Sequence, residues 1–405
     1  VSERTRNIGG LINMKSDKST PNVPTLRFKQ YHCPWSTYRL SDIAEVVGGG
    51  TPDTTVPSLW NGDIQWFTPT EVGHQKYVSK SARTITQLGL QKSSAKKLPA
   101  GSILLSSRAT IGECSIAQRE CTTNQGFQNL IPKNDTNNEF LYYLAQTKKH
   151  HFIKYASGST FLEISNSEIR KTKCTVPGTE EQTQIAAFLS ALDDRIAVQN
   201  KIISKYETLI KGISFRLLSK IEECPKVKLS EILTEYCDKT SKNNEFPILS
   251  STMSGIYVQS EYFNKQAASE ENVGYKKIPY GYCTYRSMSD TGEFRFNIQK
   301  TVQMGIVSPA YPVFTSTIYD MDFVAFYLNN STRLRKQIIE AKEGGTRFAL
   351  SFSKLINLTI PKIAKQQQTK MIEIYHAFLR KEDIERDYLN KLREQKSYLL
   401  SKMFI

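Results

Sequence analysis

One unit of sequence occurs twice in this chain of 405 residues, and the repetition constrains the fold more than any other feature. Three pairs of segments recur in the same order: YRLSDIAEV at position 38 with VKLSEILTE at 227, GSILLSSRATIGE at 101 with GYCTYRSMSDTGE at 281, and SGSTFLEISNSEI at 157 with GGTRFALSFSKL at 344. A period of nearly half the chain indicates two copies of one structural unit rather than two unrelated domains.

A long helical pattern follows each copy. Each copy reaches a Val-Pro or Ile-Pro pair, at Pro177 and Pro361, after which glycine and proline are almost absent. In the first helix apolar residues then recur at alternating steps of four and three, which is typical of a heptad seam between paired helices. The second helix repeats the pattern less cleanly, because the charged stretch RKEDIERD interrupts it. Two ordinary surface helices packed on separate cores are the alternative. The predicted helix-pairing residues are Ile185, Leu189, Leu192, Ile196, Ile203, Tyr206, Ile210, Ile213 and Leu217 in the first helix, and Met371, Tyr375, Phe378, Leu389, Leu392, Leu399 and Met403 in the second.

Each copy mixes strand and helix patterns. SILLSS and NLIP predict strands, EFLYYLAQTKKHHFIKYA predicts a helix, and YRLSDIAEV and its repeat predict short amphipathic helices that open each globule. The fold class is therefore α/β, with two similar α/β domains separated by two long antiparallel coiled-coil helices and related by a pseudo-two-fold internal repeat. We expect a flexible extension at residues 1–19, domains at 20–178 and 223–362, and long helices at 179–222 and 363–405.

Charge and cysteine usage narrow the class of protein. Lys and Arg number 54 against 39 Asp and Glu, a net charge of +15 that favours a polyanionic partner such as DNA, RNA or an acidic membrane, with generic solubility as the alternative. The seven cysteines form no C-x-x-C pair and have no histidine at metal-ligand spacing, which fits a reducing cytoplasm and indicates neither zinc nor a disulfide framework. No apolar run approaches the roughly 18 residues of a membrane span.

Catalytic motifs of nucleic-acid enzymes do not occur in the sequence. There is no phosphate loop, no N-P-P-[YF] methyltransferase motif and no dinucleotide-binding fingerprint. We interpret GGGTP, which begins at Gly48, as a flexible turn, with a phosphate cradle as the alternative. His150 and His151 are adjacent on a predicted helix and point to different faces, so they suit neither a metal site nor a catalytic dyad. The sequence predicts no catalytic residue and no metal site.

Together these motifs resemble the specificity subunit of type I restriction-modification systems, the HsdS family. NVPTLRF at position 22 and YRLSDIAEVVGGGTP look like that family's opening, and WNGDIQWFTPTEVG, LPAGSILLSSRATIGECSIA and TTNQGFQNLIP look like segments of its target-recognition domains. EEQTQIAAFLSALDDRI is similar to its central helix. The resemblance covers most of the chain. The second copy has no equivalent of WNGDIQWFTP or TNQGF, so we expect its recognition domain to belong to a different sequence class.

The resemblance implies a subunit that binds DNA but performs no chemistry. Each domain would recognise one half of a bipartite double-stranded DNA target, and the paired helices would set the separation. Two adenine methyltransferase (M) subunits and restriction/translocase (R) subunits are the implied partners, in the cytoplasm and away from any membrane. S-adenosylmethionine, ATP and Mg are expected on those partners, and no cofactor on this chain.

Candidate DNA-binding residues can be ranked by chemistry alone. Arg108 lies in a polar turn after a predicted strand, where a guanidinium could bond a guanine edge or a phosphate, and amide side chains near Phe127 suit adenine. Phe127 itself is expected in the core. Lysines are expected at phosphates, which position a protein without carrying sequence information. The full set is Arg108, Thr110, Asn124, Gln125, Gln128, Lys76, Lys92, Lys96 and Lys97 in the first copy, and Tyr285, Arg286, Arg295, Asn297, Gln299, Lys300 and Arg347 in the second.

Two other classes of function stay open at this point. A DNA-modifying enzyme with an unrecognised active site would transfer methyl groups or cut DNA without partners. A coiled-coil scaffold that binds only proteins would show no salt-sensitive affinity for DNA, because that sensitivity comes from the release of phosphate counterions.

Overall fold

The structure is a computed structural model that describes residues 11–13, 22–133, 135–158, 162–262, 271–341 and 348–405. The chain forms two compact units, Val1–Asn200 with Asp387–Ile405, and Lys201–Arg386. Each unit therefore contains one globule together with part of both long helices.

The first globule contains short strands, short helices and two 3-10 turns. Its strands are β1 (Leu11–Asn13), β2 (Leu26–Phe28), β3 (Ser36–Arg39), β4 (Ala44–Gly48), β5 (Trp60–Phe67), β6 (Tyr77–Val78), β7 (Arg83–Ile85), β8 (Ile103–Leu105), β9 (Cys114–Ala117), β10 (Thr122–Thr123), β11 (Gln128–Pro132) and β12 (Lys173–Val176). Its helices are α1 (Leu40–Ile43), α2 (Gln87–Gln91), α3 (Asn138–Thr147), α4 (Lys149–Lys154) and α5 (Asn166–Lys171), followed by the long α6 (Thr179–Ser219). The 3-10 turns are Pro57–Leu59 and Pro69–Glu71.

Two sheets organise this globule. Five strands lie in the order β4-β11-β8-β9-β6, and three in the order β10-β5-β7. The predicted strands SILLSS and NLIP correspond to β8 and β11, which are neighbours in the larger sheet. The helical prediction that begins at Glu139 is fulfilled by α3 and α4, which are separated by Lys148. Asn137 caps α3, because its side chain accepts a hydrogen bond from the backbone of Phe140.

The second globule repeats this plan with less regular strands. Its strands are β13 (Lys226–Lys228), β14 (Thr234–Glu235), β15 (Leu249–Thr252), β16 (Gly255–Val258), β17 (Lys276–Pro279), β18 (Cys283–Thr284), β19 (Met288–Ser289), β20 (Asn297–Ile298), β21 (Met304–Val307), β22 (Val313–Thr315), β23 (Phe348–Ala349) and β24 (Thr359–Pro361). Its helices are α7 (Gln259–Tyr262), α8 (Met321–Asn330), α9 (Thr332–Ala341) and α10 (Phe352–Leu355), followed by the long α11 (Lys365–Met403), and a 3-10 turn spans Leu229–Glu231.

Equivalent contacts in the two globules confirm the internal repeat. The backbone oxygen of Ser107 accepts a hydrogen bond from Ile164, and that of Ser287 accepts one from Leu350. The repeated glycines at positions 101, 112, 281 and 292 all have a positive φ angle, a backbone conformation that residues with a side chain rarely adopt. Two ion pairs also correspond, Glu113 with Lys149 and Glu293 with Arg335. The copies therefore share a backbone framework even where their sequences differ.

The predicted amphipathic helix at YRLSDIAEV is wrong, and so is its repeat. The segment forms β3, a single helical turn (α1) and β4, and VKLSEILTE forms β13, the 3-10 turn and β14. Strand pairing explains the difference, since β3 pairs with β12, β13 with β24, and β4 with β11. Buried Leu40 and Leu229 hold equivalent positions after the first strand.

A buried glutamine joins each long helix to its own globule. The side-chain oxygen of Gln182 accepts a hydrogen bond from the backbone of Asn137 at 3.0 Å, and its nitrogen donates to the oxygen of Pro177 at 3.0 Å. Gln368 does the same with Asp320 at 2.9 Å and Ile363 at 3.1 Å. Asn137 and Asp320 are the capping residues of α3 and α8, so the contact fixes the first turn of the long helix against a globule helix.

The two long helices pack together within each unit. In the first unit Lys396 of α11 pairs with Asp193 of α6 at 2.7 Å, and in the second Arg386 pairs with Glu207. All predicted helix-pairing residues are buried or half-buried, as a heptad seam requires. The ends of the seam also enter the globule cores: Leu189 and Leu392 belong to the first core, and Met371 to the second.

Candidate nucleic-acid interface

Arg108 lies on a loop that two other loops hold in place. The loop follows β8, and the backbone nitrogen of its Ser107 donates to Gly126 at 2.8 Å. The guanidinium of Arg108 donates through Nε to Glu163 at 3.0 Å and forms a second bond to the same carboxylate oxygen, with 43% of the arginine side chain exposed. Arg108 is thus oriented by a carboxylate and still open to solvent. Thr110, on the same loop, is exposed and donates to Pro69 at 3.4 Å.

Two of the predicted amide residues, Asn124 and Gln125, lie on the neighbouring loop, and the third, Gln128, begins β11 directly after it. Gln125 is exposed, and Thr51 donates a short hydrogen bond to its side-chain oxygen. Asn124 accepts a hydrogen bond from the backbone of Gly126 at 2.9 Å, and Gln128 accepts one from Asn166 at 2.6 Å. Phe127 is fully buried, which confirms its predicted core position. The three amides therefore lie close together in sequence, two on this loop and one at the start of β11.

The glycine segment beside this loop is not the flexible turn that the sequence suggested. Gly48 ends β4, and the next two glycines pass against other backbone. A Cβ on Gly49 would lie 1.9 Å from the oxygen of Asn124, and one on Gly50 would lie 2.2 Å from the nitrogen of Ala95. Glycine is required because any side chain would collide there. The close approach brings Thr51, Gln125 and the lysine-bearing loop after α2 together.

Three of the predicted phosphate-contact lysines lie on that loop. Lys92 and Lys96 are exposed, and neither has an ion pair with a carboxylate of the described residues. Lys97 is exposed as well but pairs with Glu120 at 2.7 Å. A surface ion pair of this kind exchanges readily with a phosphate, because it contributes little free energy.

Lys76 does not belong to this surface, and the prediction that it contacts phosphate is wrong. Its ammonium donates to Glu139 at 2.9 Å and to Ser190 of α6 at 2.8 Å, and it lies 5.0 Å from the ring centre of Tyr143. Only 8% of its side chain is exposed. Burial raises the pKa of Glu139, but hydrogen bonds from Tyr77 and Lys76 outweigh it, and the net shift is downward. Lys76 therefore joins the globule to the long helix.

Arg83 is a surface cation that the sequence analysis did not identify. It is exposed on β7, and its guanidinium carbon lies 3.6 Å from the ring centre of Trp60 and 5.5 Å from that of Trp66. The two indoles are buried and meet edge to face at 5.0 Å. The sequence contains the two tryptophans of WNGDIQWF, but only the pairing of β5 with β7 brings Arg83 to them.

In the second globule, three residues that were predicted to contact DNA are buried, so the prediction is wrong for them. Tyr285 is fully buried, its hydroxyl donates to Leu350 at 3.0 Å, and burial raises its pKa well above the ordinary value. Asn297 donates to Ser251 at 2.9 Å, and the amide of Gln299 donates to the backbone of Val302 at 2.6 Å. These side chains stabilise the core, where buried polar groups need such partners.

The remaining candidates of the second globule differ in exposure. Arg286 is exposed and Arg295 is half-buried, and both line an open cleft with Met288, Ser251 and several other polar residues. Lys300 is exposed but bonded to both oxygens of Asp322, at 2.7 and 2.8 Å. Arg347 lies outside the described residues.

The position equivalent to Arg108 carries a different type of side chain in the second globule. Arg108 pairs in register with Glu163, and the corresponding backbone pair in the second globule is Met288 with Ala349. An oriented guanidinium on one framework is replaced by a thioether and a methyl group on the other. The two globules therefore expose different functional groups on equivalent loops.

The described residues contain no group of three or more His, Cys, Asp or Glu side chains that could hold a metal ion. In the same part of the chain, none of the helices combines the length and apolarity needed to cross a membrane.

Comparison with known proteins confirms the resemblance that the sequence predicted. Residues 33–208 match the family model of the type I restriction modification DNA specificity domain. Over 178 residues the chain is 41% identical to the type I restriction enzyme MjaIX specificity subunit of Methanocaldococcus jannaschii, covering 42% of this chain and 41% of that protein. It is 27% identical over 204 residues to the EcoR124I/EcoR124II specificity subunit of Escherichia coli, covering 49% and 46%. The match spans less than half of each relative.

Solved structures with the same fold extend over nearly the whole chain. The S subunit of a type I restriction-modification system from M. genitalium has a TM-score of 0.54 at 16% identity and covers 94% of this chain and 99% of its own. A chain from a structural study of complex assembly and conformational transition in the type I system has a TM-score of 0.59 at 15% identity, covering 92% and 98%. At such identities the likeness concerns fold alone, and it confirms the predicted fold class.

Proposed function

We propose, from the membership of residues 33–208 in the type I restriction modification DNA specificity domain family, that this chain is the DNA sequence-specificity subunit of a type I restriction-modification complex. The family match to the first globule is the observation that carries the proposal. Each globule recognises one half of a bipartite double-stranded target, and α6 and α11 set the distance between the halves. The subunit is not an enzyme.

The surface of the first globule supports this proposal. Its three adjoining loops carry Arg108, the amides around Gln125 and the exposed lysines, which are the groups that bond guanine, adenine and phosphate respectively. Their backbones are fixed by hydrogen bonds and by close glycine contacts, so the groups are positioned before DNA binds. Among the described candidates of the second globule, Arg286 is exposed and Arg295 is half-buried beside the same cleft.

The proposal assigns the chemistry to partner subunits. Two methyltransferase subunits dock with this chain and supply S-adenosylmethionine, and restriction/translocase subunits supply ATP- and Mg-dependent cleavage. The complex works in the cytoplasm, where it meets both cellular and phage DNA.

Mapping of methylated adenines tests the function directly. Cells that carry this chain with its methyltransferase partner should methylate one bipartite sequence, and cells with the partner alone should not. Purified chain incubated with DNA and S-adenosylmethionine should give no methylation. Turnover that survives purification and disappears with a point substitution in this chain would show an enzyme instead.

Domain exchange tests the assignment of one half-target to each globule. Replacing residues 38–178 with the same region of another family member should change one half of the methylated sequence and leave the other intact. A methylome in which both halves change would contradict it.

A further inference from the structure

Arg83 is held in place by an aromatic ring rather than by a carboxylate. Arg27 is bonded to Glu181 and Arg108 to Glu163, whereas the guanidinium of Arg83 makes no hydrogen bond or ion pair with any described residue. Its position comes instead from the Trp60 ring, 3.6 Å away. A cation over an indole is attracted by the ring's negative face, and this contact leaves all five N–H donors available.

The platform beneath Arg83 is rigid. The indole N–H of Trp60 donates to the backbone oxygen of Asp53 at 2.9 Å, and that of Trp66 donates to the backbone oxygen of Gly50 at 2.9 Å. Both rings are therefore anchored, one to the glycine segment and one to the residue that follows it. Ala95 belongs to the same buried cluster as the two tryptophans, which brings the loop of Lys92 and Lys96 beside them. The stacked guanidinium thus adjoins the loop that carries Lys92 and Lys96.

We infer that Arg83 binds a phosphate of the DNA backbone next to the half-target of the first globule. This inference rests on the proposed function. A guanidinium laid against the protein surface presents only its edge, and it cannot reach base edges at the floor of a major groove about 8.5 Å deep. A phosphate at the rim of the groove is accessible to it. Two oxygens of one phosphate match the paired donors of the arginine fork.

The experiment measures binding of the full chain to two duplexes, one with the mapped target and one with scrambled sequence, over a range of salt concentrations. Arg83→Ala should weaken binding to both about tenfold. It should also reduce the slope of log K against log salt by about 0.9, the value for one phosphate contact. The preference for the target over the scrambled duplex should not change.

Two further variants control for charge. Arg83→Lys keeps the charge but loses the planar fork, so the salt slope should be preserved while affinity falls. Arg216→Ala removes an equal charge from an exposed position on α6 and should leave affinity and slope unchanged. Far-UV circular dichroism checks that each variant folds, because loss of the guanidinium over Trp60 and Trp66 would itself change the tryptophan fluorescence of the Arg83 variants.

Three results would overturn the inference. They are wild-type affinity in Arg83→Ala, a loss of affinity without a change of slope, and a loss confined to one base pair of the target, which would make Arg83 a base contact. The proposed function fails separately, when the wild-type chain itself shows no salt-dependent binding to DNA.

Discussion

The buried ion pair between Arg27 and Glu181 should be one of the most sensitive points of the first unit. Arg27 on β2 donates through Nε and through a terminal nitrogen to the two oxygens of Glu181, each at 2.8 Å, and that terminal nitrogen also donates to the oxygen of Cys33 at 2.7 Å. The side chains are 2% and 5% exposed. The pair attaches β2 of the first globule to the first turn of α6.

Glu181→Ala should lower the free energy of unfolding by about 3–5 kcal/mol. The substitution leaves a guanidinium in the interior with only the Cys33 oxygen as a described partner, and an uncompensated buried charge costs that much. Glu120→Ala is a matched control, because its pair with Lys97 has almost the same length, 2.7 Å, but side chains that are 45% and 57% exposed. That control should lose at most about 1 kcal/mol.

Urea denaturation followed by tryptophan fluorescence is a suitable assay. The protein has three tryptophans, and all of them, Trp35, Trp60 and Trp66, belong to the first globule, so the signal reports on that unit. The double substitution Arg27→Met with Glu181→Met should be more stable than either single one, because it removes both charges. Equal losses in Glu181→Ala and Glu120→Ala would refute the role of burial.

Three further predictions concern the helices, the thiols and a carboxylate. Lengthening both α6 and α11 by one turn, about 5.4 Å, should preserve both half-targets and lengthen the methylated spacer by about one or two base pairs. Methylation should be less efficient, because four added residues shift the heptad phase. An active variant with an unchanged spacer would show that the helices do not set the spacer length. At pH 8, iodoacetamide followed by peptide mapping should label exposed Cys33 and Cys237 but neither Cys121 nor Cys174, because burial raises the pKa of these thiols to about 12 and about 11. The pKa of Glu139 is lowered in the folded state, so the carboxylate stabilises the fold above the ordinary carboxyl pKa, and this contribution is lost as pH falls through the folded pKa. Denaturation from pH 7 to pH 3 should therefore show that the difference in free energy of unfolding between the wild type and Glu139→Gln shrinks toward acid pH.

Local patterns predicted much of this architecture. The heptad spacing placed the long helices, the repeated segments placed equivalent turns, and the apolar runs placed β8 and β11. These features depend on neighbours in sequence, so spacing alone defines them. Phe127 was placed in the core by the same reasoning.

Features that depend on strand pairing could not be predicted in this way. YRLSDIAEV has helical spacing, yet the pairing of β3 with β12 joins residues far apart in sequence and overrides it. Tyr285 and Gln299 alternate with basic residues in a pattern that suits a surface strand, but they turn inward. Arg83 was missed because its partner indoles lie on another strand, in a register that the sequence does not state.

The place of Phe404 in the first core has a consequence for synthesis. Its ring stacks on Phe140 at 5.2 Å and meets Trp35 edge to face at 6.4 Å. The first unit consists of two stretches of the chain, and Asn200 ends the first stretch. A ribosome that adds about 5–20 residues per second needs about 10–40 s to go from Asn200 to Phe404. Until then the aromatic cluster around Trp35 lacks the packing partner Phe404, and its apolar surface is accessible to chaperones. The first globule to leave the ribosome is therefore the one that must wait longest to complete its core.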